Sequence, residues 1–425
     1  MDLAGWLEFI DRQHPQRIAL GLERAREVLG RLGLPALPQA ITVGGTNGKG
    51  STCAMLEAIL GAAGYRTGCY TSPHLLRYNE RVRICGREAG DAALCDAFAA
   101  VEDARRGTPL TYFEFGTLAA LRLFAHGPLD ALVLEVGLGG RLDAVNLIDA
   151  ACAVVTVVDI DHVDFLGGTR ESIGREKAGI FREGRAAVVA DPDPPQSLLD
   201  EARRVGARLL RIGEQFGYTA MAGGQWSYRG PGGNRHGLAY PALRGSMQLA
   251  NASAAIAALD ALHDSLPVAV KDIRRGLAEV ALPARFETLP GRPAVVLDVA
   301  HNPQAARVLA ENLKASGFAS RVHAVFGILA DKDAAGVVAA LAGQVTDWHL
   351  ATLPGARGRS AAELANVVRQ VAAGANIATH ATPAAAFAAA RDRAAENDKI
   401  VVFGSFLTIA GVLAHLGRAK PPSHA

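Results

Sequence analysis

Two hydrophobic patterns alternate along the chain. Short, largely β-branched runs at Ala40–Val43, Arg66–Tyr70, Ala131–Val136 and Ala151–Val158 lie between Ala/Leu-rich stretches of helical period near Ser51–Ala63, Asp91–Arg105 and Glu114–Ala125. This alternation predicts a mostly parallel sheet covered by helices. The turn-rich stretch Phe216–Pro241 interrupts it and reads as hairpins or an excursion from the sheet, and two more helices follow at Ser246–His263 and Val270–Val280. Pro283, Pro290 and Pro293, with Gly291 between them, then break the pattern and mark a domain boundary. Beyond it the alternation restarts: strand Ala294–Val299, helix Pro303–Ala315, strand Arg321–Phe326, helix Ala334–Leu341, and onward to strand Ile400–Phe403. The expected fold class is α/β, with two doubly wound domains over residues 1–287 and 288–425, the second the smaller.

Bulk properties narrow the partners. The 425 residues are half apolar, enough for two packed cores, and 44 basic residues balance 42 acidic ones. No strong net field draws the chain to nucleic acid or to an anionic membrane, so neither is expected as a partner. The five cysteines, Cys53, Cys69, Cys85, Cys95 and Cys152, form no C-x-x-C pair, which argues against a disulfide framework or a thiolate zinc site and fits a reducing cytoplasm. Asp2, Glu8 and Asp11 interrupt the N-terminal apolar residues, unlike a signal peptide, and no apolar run approaches membrane-spanning length.

The first chemical motif follows the first strand. Val43 runs into Gly44-Gly45-Thr46-Asn47-Gly48-Lys49-Gly50-Ser51, and a helix begins. Glycines let such a loop turn its backbone N–H groups inward, and the helix N-terminus adds positive potential. The loop therefore suits a polyphosphate, with Thr46, Asn47, Gly48, Gly50 and Ser51 around it and Lys49 reaching its outer oxygens. Ser51 or Thr52 could face a magnesium ion. The blander alternative is a Gly-rich turn with a solvated lysine. The usual G-x-x-x-x-G-K-[ST] pattern fails here, since Val43 stands at its first glycine and Gly50 separates Lys49 from the hydroxyl residue.

The variant G-T-N-G-K-G-[ST] resembles the loop of the Mur ligase superfamily. Further strings fall in the order seen in its folylpolyglutamate/dihydrofolate synthase branch: TSPHLLRYNERV (Thr71–Val82), TYFEFGTLAAL (Thr111–Leu121), EVGLGGRLDAVN (Glu135–Asn146), DIDHVDFLG (Asp159–Gly167), REKAGIF (Arg175–Phe181), LPARFE (Leu282–Glu287), LDVAHNPQA (Leu297–Ala305), GILADKD (Gly327–Asp333) and GSFLTIAG (Gly404–Gly411). The resemblance implies a P-loop ATPase-type first domain that binds ATP and folate, and a Rossmann-like glutamate-ligase second domain. It implies an ATP-dependent amide ligase that adds L-glutamate to dihydropteroate and to reduced folates through an acyl phosphate.

The same resemblance assigns residues. Ser72, Glu135 and His162 are the expected magnesium ligands, two metal sites being expected. Lys177 is similar to a lysine that carries a carbamate and helps hold the second ion; read alone, it would be a solvated helix lysine. Asn251 is similar to a residue that meets adenine, and Arg285 and Asp298 to contacts with phosphate and ribose. His301 would serve the transferring phosphoryl group or glutamate, with the nucleotide between the two domains. The pterin is expected near Thr111, Tyr112, Phe113, Glu114, Arg141, Leu142 and Asp143, where Phe113 and Phe115 could stack on its ring or one of them could be core.

Two other readings compete. A ligase that builds peptidoglycan would need a further N-terminal domain, and only about forty residues precede the loop. A P-loop ATPase switch would spend its motifs on an interaction surface, whereas these strings converge on a small-molecule site. A monomer is the default expectation, because no long apolar stripe demands a partner.

Overall fold

The computed structural model describes residues 1–16 and 18–418. The chain forms two compact units, one of Met1–Ala242 with Gln248–Val280, the other of Leu243–Met247 with the chain from Ala281 onward.

The first unit begins with two helices, α1 (Leu3–Asp11) and α2 (Glu23–Leu32). Asp2 caps α1 by accepting from the Gly5 N–H, and Trp6 and Ile10, one turn apart, are buried. Strand β1 (Ala40–Gly44) leads into α3 (Lys49–Ala62), followed by β2 (Thr67–Tyr70) and the hairpin β3 (Val82–Ile84) and β4 (Arg87–Glu88). Helices α4 (Asp91–Arg105) and α5 (Tyr112–Ala125) precede β5 (Ala131–Glu135) and β6 (Ala150–Val155). Then come α6 (Val163–Leu166), α7 (Arg170–Ala178), β7 (Ala186–Val189), α8 (Gln196–Arg204) and β8 (Arg208–Arg211). The eight strands run in the order β4-β3-β2-β5-β1-β6-β7-β8, parallel from β2 to β8 and antiparallel in the added hairpin. β1 lies at the centre and every one of its residues is buried, which is why AITVG is apolar without alternation. One core gathers α1, α4 and α5 around Phe98, Phe115 and Phe124, and another gathers α7 and α8 around Ile173, Ile180 and Leu198.

The turn-rich stretch forms an antiparallel meander of β9 (Gly217–Met221), β10 (Gln225–Arg229) and β11 (Arg235–Ala239), as the hairpin expectation required. Helices α9 (Gln248–Ala261) and α10 (Val270–Glu279) close the unit.

The second unit contains β12 (Glu287–Leu289), β13 (Ala294–Leu297), α11 (Pro303–Ala315), β14 (Val322–Phe326), α12 (Ala334–Leu341), β15 (Asp347–Ala351), α13 (Ala361–Val371), β16 (Asn376–His380), α14 (Pro383–Arg393), β17 (Lys399–Phe403) and α15 (Phe406–His415). Its sheet order is β12-β13-β17-β14-β15-β16, with only β12 antiparallel. Both sheets are thus doubly wound, the expected α/β class. Among the described residues no helix is long and apolar enough to cross a membrane.

One expected strand ends early. The apolar run to Val158 leaves the sheet after Val155, because Thr156 and Val157 turn to bond the glycine loop: Thr156 N–H donates to Gly44 O at 2.9 Å and Thr46 N–H donates to Val157 O at 2.7 Å. Periodicity cannot register that change of partner.

Candidate active site

In parallel α/β sheets ligands gather at the carboxyl ends of the strands, where the order reverses. β5, β1 and β6 are neighbours, and the glycine loop, Glu135 and the 156–162 segment all leave from their carboxyl ends.

The glycine loop is held from beneath. Thr156 Oγ1 donates to Asn47 O at 2.7 Å, while Thr46 Oγ1 donates to Asp159 O at 2.9 Å and accepts from the Asp159 N–H at 3.0 Å. Gly45 has φ +139°, and a Cβ there would lie 1.8 Å from Thr156 Oγ1; Gly48 has φ +93°, and a Cβ there would lie 2.6 Å from Asn251 Oδ1. Both glycines are therefore required by conformation and by space. Lys49 Nζ donates to the carbonyls of Gly45 (3.0 Å) and Thr46 (3.1 Å), so its ammonium arches over the loop. Of the two hydroxyls that could face a cation, Thr52 is engaged: it is buried and donates to Gly48 O at 3.0 Å. Asn251 stands against the loop at Gly48, its amide donating to Gln248 Oε1 at 3.0 Å.

Glu135, only 5% exposed, closes β5, and one of its oxygens accepts from the Ser72 N–H at 3.1 Å. Ser72 and Glu135 are thereby brought together. His162 stands on the neighbouring segment after β6, at φ +53°, where it caps α6. Its Nε2 lies 4.0 Å from Asp161. Among the described residues no three His, Cys, Asp or Glu side chains are drawn together as a metal cage. Sparse oxygen donors beside a phosphate loop nevertheless suit magnesium, which keeps several waters.

Lys177 is a strongly perturbed cation. It is 4% exposed, and among the described residues no carboxylate is within ion-pairing distance. Burial, then the like charge of Lys49, pushes its amine down to about 7, against the opposing pull of Asp161 and Asp143. Asp143 is buried too and pushed up to about 6 by desolvation, although the N–H groups of Leu138 (2.8 Å) and Val145 (2.9 Å) donate to it and Lys49 favours its charge. Lys49, Lys177, Asp143 and Asp161 thus act on one another across one small volume. Arg141 turns away: it is exposed and paired with Glu176 at 2.8 Å. Leu142 between them is half-buried.

The TYFEF string opens α5 with a capping box. Thr111 Oγ1 accepts from the Glu114 N–H at 3.3 Å, and Glu114 accepts from the Thr111 N–H at 2.8 Å and from Arg24 Nε at 2.9 Å. Glu114 is buried in these contacts, so its place is to hold Thr111 and Tyr112 rather than to face outward. Phe115 is core, 6.0 Å from the Phe98 ring, whereas half-buried Phe113 lies 5.9 Å from Tyr70 and packs on Gly137. Phe113 is thus the ring at the strand ends.

In the second unit Asp298 leaves the end of β13. Its oxygens accept from the N–H groups of Phe286 (2.9 Å) and Ala300 (2.8 Å), tying the LPARFE turn to the strand end. Burial raises its pKa, opposed by those bonds, Arg285 and His301. Ala284 and Phe286 flank Arg285 with φ +58° and +49°, a costly pair of left-handed residues that presents the guanidinium 5.4 Å over the Phe406 ring. His301 Nδ1 lies 2.8 Å from Val299 O, and Asn302 caps α11 by accepting from the Ala305 N–H.

Sequence reasoning gave no role to Arg24, His74, Tyr78 or Arg81. All except Arg24 lie inside the TSPHLLRYNERV string, so the string was visible and its division of labour was not.

Comparison with known proteins gives a consistent set of likenesses. The Mur ligase middle domain model matches residues 43–259, and the model of the Mur ligase glutamate ligase domain matches residues 284–406. The dihydrofolate synthase/folylpolyglutamate synthase of Escherichia coli strain K12 is 46% identical over 412 residues, covering 97% of this chain and 94% of that protein. The structure of E. coli FolC in complex with DHPP and ADP superposes with a TM-score of 0.94 at 44% identity, covering 99% of each chain. A bifunctional folylpolyglutamate synthase/dihydrofolate synthase with Mn, AMPPNP and L-glutamate bound gives 0.90 at 45% identity, covering 98% of each.

Proposed function

Because the chain belongs to the Mur ligase family and, within it, to the dihydrofolate synthases/folylpolyglutamate synthases, we propose that it joins L-glutamate to dihydropteroate and to reduced folates as an ATP-dependent, ADP-forming ligase. The observation that carries this reading is the meeting of the glycine loop, Glu135, Asp143 and buried Lys177 at the carboxyl ends of three adjacent strands.

A carboxylate oxygen is a poor leaving group, and transfer of the γ-phosphate of ATP to it makes an acyl phosphate that the glutamate amine can attack. Bringing an anionic acceptor to a triphosphate is opposed by charge repulsion, which cations must offset. The loop amides from Thr46 to Ser51 bind the phosphates, and Lys49 exchanges its carbonyl partners for their outer oxygens. Ser72, Glu135 and His162 would hold magnesium, which would supply further charge neutralisation.

Lys177 takes a carbamate. Its amine is pulled down to about 7, so a substantial neutral fraction exists at neutral pH to attack carbon dioxide. The step forms an N–C bond, releases one proton to solvent and leaves an anion beside Lys49, which removes the repulsion between two ammonium groups and would offer an oxygen ligand to a second magnesium ion. Asp143 and Thr111 contact the pterin, Phe113 stacks on it, and Tyr112 and Leu142 line it; Glu114 acts by fixing Thr111, and Arg141 stands at the rim. Asn251, Arg285 and Asp298 contact the nucleotide, and His301 donates to the transferring phosphoryl group or to glutamate. The enzyme works as a cytoplasmic monomer.

The test is ADP release by purified protein with magnesium, ATP and glutamate, comparing dihydropteroate, tetrahydrofolate and no acceptor. Turnover with both acceptors supports the bifunctional reading, turnover with one selects a single activity, and silence with both refutes it.

A further inference from the structure

A half-buried guanidinium stands next to the proposed metal ligand Ser72 without a counter-ion. Arg81 is joined to that loop at the backbone, its carbonyl accepting from the Thr71 N–H at 2.9 Å. Its side chain lies over two aromatic rings, 5.5 Å from the centre of Tyr78 and 5.4 Å from that of Tyr112, and its Nε donates to His74 Nδ1 at 2.9 Å. His74 Nδ1 is the acceptor in that bond, so the imidazole brings Arg81 no negative charge. The nearest carboxylate in sequence, Glu80, is spent on the N–H groups of Leu75, Leu76 and Arg77 at 2.6–2.7 Å. Among the described residues Arg81 forms no ion pair; besides His74, its side chain has the Tyr70 hydroxyl as a hydrogen-bond partner.

This is a costly arrangement unless the fork meets an anion. Two tyrosine faces, the Tyr70 hydroxyl and an accepting histidine fix the plane of the guanidinium, yet none of them brings the negative charge that its fork would pair with in a carboxylate. The two acceptors of the proposed reaction differ in that respect. Dihydropteroate carries one carboxylate, the reacting one. A folate already bearing glutamate carries a second, the α-carboxylate that does not react.

We propose that Arg81, positioned by His74, Tyr78 and Tyr112, forms the subsite for the non-reacting α-carboxylate of a glutamylated folate acceptor. It thereby sets the balance between the two activities. The inference rests on the ligase reading above and would not survive without it.

The experiment measures kcat/KM of wild type, Arg81→Gln and Arg81→Lys with tetrahydrofolate and with dihydropteroate, and the KM for glutamate with each. Loss of a bidentate charged contact predicts that Arg81→Gln loses roughly 10- to 100-fold more with tetrahydrofolate than with dihydropteroate, mainly in KM, and that Arg81→Lys recovers part of the difference. Equal losses with both acceptors would overturn the proposal in favour of a structural role. A raised KM for glutamate with dihydropteroate as acceptor would overturn it in favour of the incoming amino acid, and no change at all would remove Arg81 from the site. Wild-type protein silent with both acceptors would instead refute the ligase reading itself, so the two failures are distinguishable.

Discussion

Replacing Lys177 by methionine should abolish turnover and make the fold more stable. The amine is pulled from the ordinary 10.5 of a lysine down to about 7. At about 1.4 kcal/mol per tenfold, that difference disfavours the charged side chain in the fold by roughly 4–5 kcal/mol. Between those two pH values the unfolded chain holds the proton and the folded chain releases it. Stability of the wild type therefore rises with pH through that window, and below about 7 the penalty is carried in full. Methionine keeps the length of the stem and removes the charge, so the slope should disappear. The value of about 7 already contains the opposing pull of Asp161 and Asp143, so a gain of up to about 4 kcal/mol near neutral pH is expected, read by urea unfolding of the metal-free protein across that pH range. With isotopically labelled bicarbonate, magnesium and a nonhydrolysable ATP analogue, the wild type should show a carbamate carbonyl resonance that the variant lacks. A variant less stable than wild type at neutral pH, with the same dependence on pH, would show that Lys177 carries no such cost and would refute the reasoning.

Other substitutions probe the remaining parts of the site. Lys49→Ala should lower kcat for ADP release by at least about 100-fold, as loss of a donor to developing phosphate charge does elsewhere, and retention of most activity would discard the phosphate-loop assignment. Gly45→Ala places a Cβ 1.8 Å from Thr156 Oγ1 at φ +139°, so the bond from Thr156 to Asn47 O must give way; calorimetry should show nucleotide binding lost while circular dichroism shows the fold kept. Glu135→Gln keeps an acceptor for the Ser72 N–H and removes the charge. The magnesium concentration for half-maximal activity should rise by roughly 10-fold or more, and an unchanged requirement would take Glu135 off the ligand set.

The contrast between Lys49 and Lys177 shows which parts of such a site a sequence displays. Lys49 sits in a contiguous loop whose glycines, strand and helix N-terminus are all local, and local chemistry is written in order along the chain. Lys177 has no local signature: its character comes from burial and from Lys49 and Asp143, which lie far off in sequence and meet it only after the strands assemble. Only resemblance singled it out. The same limit applies to Glu114, whose carboxylate turns out to serve Thr111 and Arg24, and to the early end of β6, where Thr156 leaves the sheet to support the loop. It applies as well to α1, whose two buried residues, Trp6 and Ile10, are too few to stand out among the acidic residues around them.

Arg81 belongs with these. Its neighbours in sequence, Glu80 and Val82, are a backbone-capping carboxylate and a core side chain, and neither foretells that Tyr112, from the start of α5, will lie beneath its guanidinium. A cation placed on two rings and an accepting imidazole, with no carboxylate assigned to it, is local evidence of a missing anion that appears only in three dimensions. In this chain the strings that carry the family resemblance are short and contiguous, whereas the surroundings of Arg81 arise where two of those strings touch, and they are found by accounting for the partners of each buried charge.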